Sequence, residues 1–370
     1  MTLPKRSPSV SPAMARPSKS QRNEQRNGIG GDIENILSRC SPAQRIALDR
    51  LQKETKMTEW LIAETLKRKP PALPYLSRDI LLTEEIAPGS SCTVFGGVQK
   101  RLKREVAIKA VKNTDLSRAR REAQIAGQFS SNPHSITVYD AFEAAGDGDT
   151  KYGNHFLVME RGELTLRHYL EQKGTLTLVE TLKTIRSLAE ALLSIHSANI
   201  VHRDIKPGNM FIDPRTFFIT LFDYGIAGRI PRDSTGHTRD DHSLTIQGTA
   251  LGTAHYMSPE AFRDAWKTNE QSDIYSLGCV AFTLLHGEPM FAHLHDRFAI
   301  GSEHNKRDNR SSFTQEQVEI PRKTLTAIEN MFQTTVDPSP KKRPQSAKEI
   351  IDTIDDALPR IEVLEPAKVV

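Results

Sequence analysis

Cysteine is scarce in this chain of 370 residues, which contains only Cys40, Cys92 and Cys279. Their spacing fits neither a disulfide framework nor a metal-binding motif, which argues against a disulfide-stapled secreted domain and favours a reducing compartment. The N-terminus lacks the apolar core of a secretory signal. The longest apolar run, residues 277–285, is too short to cross a bilayer. We therefore expect a cytoplasmic location and no membrane span.

A large excess of charge of either sign is also missing. The chain has 50 lysines and arginines against 46 aspartates and glutamates, a formal net charge of +4. A balance this close requires no polyanionic partner, so we expect no nucleic-acid binding. No internal repeat is evident, and the length suits one large domain with extensions.

Composition divides the chain into segments. Residues 1–40 are basic and rich in serine and proline, which predicts a disordered N-terminal arm. Residues 41–72 differ, because Ser41 and Pro42 form a helix-start signal and apolar residues then recur at roughly helical spacing. This pattern predicts a short helical extension. The other expected boundaries are a main domain at 78–356 and a C-terminal tail at 357–370.

The main domain reads as strands followed by helices. A helix is predicted at about 115–129, and a later helical stripe, which begins at Leu178 and ends at Ile195, is predicted to face the core. The strand signals at the N-terminal end of this domain suggest an antiparallel sheet, and the α+β fold class is taken from the family resemblance described below. Strands are predicted at 78–86, 92–99, 104–112, 136–143 and 155–160.

Reactive side chains are densest on one short stretch, His202-Arg203-Asp204-Ile205-Lys206-Pro207-Gly208-Asn209. Fourteen residues after Asn209, Asp223 opens the tripeptide Asp-Tyr-Gly, and Lys109 ends an earlier Val-Ala-Ile-Lys. A carboxylate such as Asp204 can accept a proton, and a lysine can neutralise phosphate charge. The oxygens of Asn209 and Asp223 are the ligand type that Mg²⁺ prefers.

In this order and at these spacings, the motifs resemble the signature set of the eukaryotic-type (Hanks-type) serine/threonine protein kinases. The amino-acid sequences of these motifs resemble those of bacterial members of the family most closely. The resemblance implies a two-lobed protein kinase fold with a small antiparallel-sheet N-lobe and a larger, mainly helical C-lobe. It also implies ATP and Mg²⁺, with Mn²⁺ as an alternative metal, and a protein substrate that offers a serine or threonine hydroxyl.

The resemblance assigns roles residue by residue. Asp204 would accept the proton of the acceptor hydroxyl, and Lys206 would reach the γ-phosphate. Asn209 and Asp223 would bind the metal. Lys206 followed by proline and glycine is the serine/threonine form of this loop, and Thr253 matches the threonine that contacts the catalytic aspartate in that class.

The nucleotide-binding residues follow from the same comparison. Lys109 would bind the α- and β-phosphates while paired to Glu122. The glycine-rich loop is the weakest match, because only Gly89 survives and Ala87 and Cys92 replace the outer glycines. Since glycine lets the backbone approach phosphate closely, we expect the two replacements to raise the KM for ATP. Further nucleotide contacts are expected from Ile86, Gly89, Val94, Ala107, Met159, Glu160 and Phe211.

Downstream residues extend the resemblance. Glu260 ends a Ser-Pro-Glu that resembles the end of an activation segment, and Arg343 would pair with it. Asp273 resembles a residue at the start of a buried helix. The resemblance also implies autophosphorylation of this hydroxyl-rich segment, and hence a transient self-association. Bacterial members of the family are modified a few positions before the threonine matched by Thr253, which points first to Thr245 and then to Ser243 and Thr249.

Two other classes of function remain open on the residues alone. A pseudokinase scaffold is suggested by the incomplete glycine-rich loop. Against it, pseudokinases commonly lack at least one of the four catalytic and metal-binding residues, whereas this chain has Lys109, Asp204, Asn209 and Asp223. A small-molecule kinase of the aminoglycoside type shares the spacing from His202 to Asn209. Against it stand Arg203, Lys206 and the segment that ends at Glu260, which serve a protein substrate in the kinases that this chain resembles.

Overall fold

This computed structural model of the chain describes residues 79–88, 92–111, 116–143, 155–229, 254–264, 267–304 and 320–362. The expected arm at 1–40 and the helical extension at 41–72 lie outside these ranges, as do Gly89, Thr253, Thr245, Ser243 and Thr249. The described residues form two compact units, one of 79–88 with 95–105 and one of 92–94 with everything described from Val106 onward. Apart from Ile86, every described candidate site residue belongs to the second unit.

The described part of the chain has nine strands and eight helices. The strands are β1 Ile80–Pro88, β2 Cys92–Gln99, β3 Arg104–Val111, β4 Val138–Glu143, β5 His155–Glu160, β6 Ile200–Val201, β7 Met210–Asp213, β8 Phe218–Leu221 and β9 Gly228–Arg229. The helices are α1 Leu116–Gln128, α2 Leu166–Lys173, α3 Leu178–Ser197, α4 Pro259–Arg263, α5 Glu270–His286, α6 Arg297–His304, α7 Arg322–Thr335 and α8 Ala347–Glu362. The predicted strands at 92–99 and 155–160 are confirmed residue for residue, and the other strand ends fall within two residues.

In the larger unit, β3, β5 and β4 are neighbours in one sheet, in that order. The pairings of β5 with β3 and with β4 are antiparallel. In the register of β3 and β5, Ala107 lies opposite Met159 and Lys109 lies opposite Leu157. Because side chains two residues apart on a strand share a face, Ala107 and Lys109 point to the same side of the sheet.

The smaller unit is organised around Asp79. Its carboxylate accepts hydrogen bonds from the backbone nitrogen of Arg101 at 3.0 Å and from the side-chain amide of Gln99 at 3.2 Å. Its carbonyl accepts from the nitrogen of Lys100 at 2.8 Å. Within this unit, the apolar side chains of Leu81, Phe95 and Val98 are buried. The backbone nitrogens of Lys100 and Arg101 and the side-chain amide of Gln99 therefore each have an acceptor at the turn that joins β2 to β3.

Helix α3 begins where the sequence predicted. Thr177 caps it by accepting from the nitrogen of Glu180 at 3.2 Å, and the Glu180 carboxylate accepts from the nitrogen of Thr177 at 2.9 Å. This reciprocal capping box satisfies two donors that the first helical turn leaves free. The predicted apolar stripe from Leu178 to Ile195 is confirmed as core, where it packs against α5 and α8.

Helix α5 is buried on nearly all sides, as its apolar sequence requires. It begins at Glu270, three residues before the predicted helix start at Asp273. The earlier start has a physical cause, because Ser272 accepts a hydrogen bond from the nitrogen of Asn269 at 3.2 Å and so helps to cap the first turn. None of the helices in the described ranges combines the length and the apolar composition that crossing a bilayer requires.

Candidate active site

The loop between β6 and β7 places two predicted residues, Lys206 and Asn209, around the carboxylate of a third, Asp204. Lys206 Nζ donates to both carboxylate oxygens of Asp204, at 2.9 and 2.8 Å. Asn209 Nδ2 donates to the Asp204 carbonyl at 2.9 Å and to its Oδ2 at 2.7 Å. The Asp204 side chain is 13% exposed, so it is fixed by its neighbours while one side of it can still meet a ligand.

The β7–β8 hairpin explains how residues that are distant in sequence meet. Met210 at the start of β7 lies opposite Leu221 at the end of β8. The nitrogen of Phe222 then donates to the Asn209 carbonyl at 3.0 Å. Asn209 and Asp223 therefore leave the hairpin at the same end, which brings together the two predicted metal ligands.

A buried ion cluster links the sheet to α1 and to this hairpin. Lys109 Nζ contacts Glu122 Oε1 at 2.5 Å and Asp223 Oδ1 at 2.7 Å. The Lys109 and Glu122 side chains are buried, whereas that of Asp223 is 37% exposed. The predicted αC glutamate thus lies at the predicted β3 lysine.

The cluster keeps its charges at neutral pH. Burial lowers the pKa of Lys109, but the charges of Asp223 and then Glu122 outweigh it and hold this pKa above its ordinary value. Burial raises the pKa of Asp223, but the charge and hydrogen bond of Lys109 outweigh it and hold this pKa well below its ordinary range. One ammonium and two carboxylates therefore carry a net negative charge, which is suited to a cation.

The oxygens at the hairpin end fit a divalent metal ion. The nitrogen of the Asn209 amide is engaged by Asp204, and Lys109 contacts Oδ1 of Asp223, so Oδ1 of Asn209 and Oδ2 of Asp223 are the atoms suited to a metal. Across the described ranges, no group of three or more His, Cys, Asp or Glu residues could hold a metal. One amide and one carboxylate suit an ion that takes its remaining ligands from phosphates and water.

An apolar cluster lies beside these charges. Ala107 and Met159 are buried in it, with Val94 and Phe211 partly buried against it. The Phe211 ring stacks on Phe222 with ring centroids 4.3 Å apart. Four of the predicted nucleotide contacts therefore share one apolar surface, which is suited to the flat face of a base.

The remaining predicted nucleotide contacts are more exposed. Glu160 ends β5 with an exposed side chain, and its nitrogen donates to the Thr137 carbonyl at 2.8 Å. Ile86 belongs to the smaller unit and is 47% exposed. Gly162 was not singled out in the sequence, yet a Cβ there would lie 2.3 Å from the Phe211 ring. A side chain at this position would therefore have to displace the Phe211 ring.

Buried Asp273 holds the backbone of the candidate catalytic loop. Its carboxylate accepts from the nitrogens of His202 and Arg203, both at 2.8 Å, and contacts His196 Nε2 at 2.9 Å. Burial raises the pKa of Asp273, but the bond and charge of His196 outweigh it and lower this pKa below its ordinary value. The anchor stabilises Arg203 in a left-handed conformation, φ 68°, directly before Asp204. No sequence pattern indicated the contact that His196 makes with Asp273.

A second buried ion pair lies away from the loop. Arg343 Nη1 contacts Glu260 Oε1 at 2.7 Å, and its Nη2 contacts Oε2 at 2.9 Å. Ser272 Oγ adds a bond to Glu260 at 2.7 Å. Burial raises the pKa of Glu260, but the hydrogen bond and charge of Arg343 outweigh it and lower this pKa. Arg343 also lies 4.7 Å from the ring centroid of Tyr275.

Residues 81–353 match the protein kinase domain family, and the chain belongs to that family. The predicted resemblance and the α+β protein kinase fold are thereby confirmed. Domains of this family use ATP and a divalent metal and act on proteins.

Bacterial relatives agree with the family. "Probable serine/threonine-protein kinase pknA2" of Bifidobacterium longum is 35% identical over 221 residues, which are 57% of this chain and 27% of the relative. "Probable serine/threonine-protein kinase PknB" of Corynebacterium glutamicum is 35% identical over 231 residues, 60% of this chain and 33% of the relative. "Serine/threonine-protein kinase PknB" of Mycobacterium tuberculosis is 35% identical over 213 residues, which are 53% of this chain and 32% of the relative. The matched region spans a third or less of each relative's length.

Proposed function

We propose that this chain is a serine/threonine protein kinase that transfers the γ-phosphate of ATP, with Mg²⁺, to serine and threonine hydroxyls of proteins. One observation carries the proposal. Lys109 contacts Glu122 and Asp223 at once, at 2.5 and 2.7 Å, at the hairpin end from which Asn209 also emerges. A lysine held between two carboxylates is rigidly placed to receive phosphate oxygens.

The residues divide the chemistry of phosphoryl transfer among them. Asp204 orients the acceptor hydroxyl and takes its proton as the oxygen forms a bond to the γ-phosphorus. The bond from that phosphorus to the bridging oxygen of ADP breaks, and Lys206 and Lys109 bind oxygens on which negative charge collects. Asn209 and Asp223 would hold Mg²⁺, which would neutralise part of the phosphate charge.

Several features favour serine and threonine over other acceptors. The loop has Lys206 followed by Pro207 and Gly208, the form found in serine/threonine kinases of the family it resembles. The three relatives are named as serine/threonine kinases. A pseudokinase is disfavoured because Lys109 and Asp223 are not only present but in contact. A cytoplasmic location accords with Cys92 and Cys279, which form no disulfide within the described residues.

A labelled-ATP assay with several acceptors in parallel tests the proposal. The acceptors are a protein rich in serine and threonine, a peptide whose only hydroxyl belongs to tyrosine, and an aminoglycoside. We expect label on the first alone, mapped by mass spectrometry to serine and threonine. Label on the aminoglycoside alone would move the chain to the small-molecule kinases. Nucleotide binding without transfer to any acceptor would favour the pseudokinase.

We propose further that the chain phosphorylates itself between molecules, at Thr245 first and then at Ser243 and Thr249. A phosphate carries close to two negative charges and can order a loop through bonds to an arginine such as Arg203. Mass spectrometry of wild type beside Asp204→Asn tests this, since only wild type should carry the modification. Unchanged activity after replacement of all three hydroxyls by alanine would contradict a regulatory role.

A further inference from the structure

Tyr224, which directly follows Asp223, makes a buried hydrogen bond. Its side chain is 1% exposed, and its hydroxyl donates to Ser135 Oγ at 2.8 Å. Its ring lies 5.1 Å from that of His202 and 6.1 Å from that of Phe129, centroid to centroid. Burial raises the pKa of Tyr224 to about 12, so the hydroxyl keeps its proton and remains a donor. The side chain therefore has a polar anchor as well as apolar contacts.

Ser135 is a fixed point for that anchor. The nitrogen of Ile136 donates to the Leu221 carbonyl at 2.9 Å, and the nitrogen of Leu221 donates to the His134 carbonyl at 2.8 Å. These bonds tie the segment around Ser135 to the end of β8, two residues before Asp223. The Ser135 side chain is itself 4% exposed, which restricts its movement further.

Asp223, which lies between β8 and Tyr224, has a backbone that needs such support. Asp223 has φ 66°, in the left-handed region that costs free energy for a residue with a Cβ. Its carboxylate is 37% exposed, so packing alone does not hold it at Lys109. The chain is fixed on both sides of this strained residue, by the β8 pairing before it and by the Tyr224 hydroxyl after it.

We propose that the hydrogen bond from Tyr224 to Ser135 is a positioning device that holds Asp223 in its left-handed conformation, with its carboxylate at Lys109. Tyr224 and Ser135 are positioning residues, because neither touches substrate. Where the bond is lost, the left-handed turn is less populated and the carboxylate spends less time where a metal–nucleotide complex needs it. The proposal rests on the proposed function for the identity of that ligand.

Calorimetric binding of Mg²⁺–ADP to the full chain tests the proposal without requiring turnover. Tyr224→Phe keeps the ring and removes the hydroxyl, and Ser135→Ala removes the acceptor. Each should weaken Mg²⁺–ADP binding about fivefold, the factor that corresponds to one ordinary hydrogen bond. The double variant should bind no more weakly than either single variant, because both changes remove the same interaction. The KM for an acceptor peptide should stay unchanged.

Tyr256→Phe is the matched control. Tyr256 is also buried, 8% exposed, and its hydroxyl bonds Thr283 at 3.3 Å. Thermal unfolding should register both tyrosine changes, whereas only Tyr224→Phe should alter Mg²⁺–ADP affinity. Unchanged affinity in both single variants, or losses that add in the double variant, would overturn the proposal. A wild-type chain that binds Mg²⁺–ADP but transfers no phosphate would contradict the proposed function and leave this binding test valid.

Discussion

The chain has two buried ion clusters with the same kinds of charge but different access to solvent. Around Lys109, the carboxylate of Glu122 is buried while that of Asp223 is 37% exposed. Arg343, bound to Glu260, has a side chain that is 0% exposed. The five donor hydrogens of Arg343 are used by Glu260 and by the carbonyls of Gln271, Asp337 and Pro338.

The difference in solvent access distinguishes a cluster that can bind a ligand, around Asp223, from a purely structural ion pair, Arg343 with Glu260. Each N–H of Arg343 already has an acceptor, so the pair with Glu260 can only hold the chain together. Asp223 keeps an oxygen that Lys109 does not engage, beside Asn209, so its cluster can accept a ligand. We call the group of Lys109, Glu122 and Asp223 the open cluster, and the pair of Arg343 and Glu260 the closed cluster. We expect changes at the open cluster to reduce activity, and changes at the closed cluster to reduce stability.

The largest expected effect is on activity. Asp223→Asn keeps the shape of the side chain but removes a negative charge from the open cluster, while Lys109 retains Glu122. The rate of phosphate transfer should fall on the order of 10²–10⁴, as for the loss of a positioned catalytic group. Asp355→Asn, at a carboxylate that is 46% exposed, is the control and should keep the wild-type rate. Initial rates of phosphate transfer compare the two variants. Equal rates would contradict a role for Asp223 in the reaction.

At the closed cluster we expect a loss of stability. Arg343→Met leaves the Glu260 carboxylate buried without its partner, which should lower the free energy of unfolding by about 3–5 kcal/mol. Arg360→Met removes an exposed ion pair with Asp356, and should change it by about 0.5 kcal/mol or less. Urea denaturation compares the two. Similar losses for both variants would contradict the difference in burial on which the comparison depends.

Acidification should remove the stability that Glu260 of the closed cluster and the buried Asp273 contribute. The pKa values of Glu260 and Asp273 are lowered in the folded chain, so on acidification the unfolded chain binds protons first. The stability that these carboxylates contribute is full above their unfolded pKa values, about 4, and is lost as the pH falls through the folded values. The free energy of unfolding should therefore drop between about pH 5 and pH 3.

A double variant isolates the share of one carboxylate in that drop. Arg343→Met/Glu260→Gln should lose less stability over the same pH range, because Glu260 no longer titrates. Urea midpoints at several pH values measure the slopes. Parallel slopes in wild type and double variant would show that Glu260 carries no shifted pKa.

The smallest expected effect concerns the glycine-rich loop. The sequence predicted a raised KM for ATP because Ala87 and Cys92 lack the freedom of glycine. In the structure Ala87 belongs to β1 and Cys92 to β2, and neither has a positive φ. We therefore expect Ala87→Gly/Cys92→Gly to lower the KM by no more than about threefold, since glycine adds freedom that these strand positions do not use. A tenfold decrease would show that the two replacements cost as much affinity as the sequence argument expects.

The sequence predicted local structure well where one short pattern decides it. Strand signals placed β2 and β5, and the apolar stripe from Leu178 to Ile195 placed α3, because the stripe marks the face of that helix that the core buries. The motifs also named Lys109, Asn209 and Asp223, which the structure brings close together.

Contacts between distant residues were less accessible to sequence reasoning. The bonds of Asp273 to the backbone of His202 and Arg203 join residues about seventy positions apart, and backbone donors leave no mark in a sequence. The bond from Tyr224 to Ser135 is similar, because neither residue type signals a partner 89 positions away. Such contacts depend on how the elements pack, which local patterns do not encode.

The most direct test of the central claim compares wild type with Asp204→Asn on a serine peptide and on the same peptide with alanine in place of serine. The variant should bind Mg²⁺–ADP as wild type does, because Lys109, Asn209 and Asp223 remain. We predict label on the serine peptide alone, at a rate on the order of 10²–10⁴ lower in the variant. Equal rates for the two proteins at equal nucleotide affinity would contradict the assignment of Asp204 and, with it, the proposed function of this site.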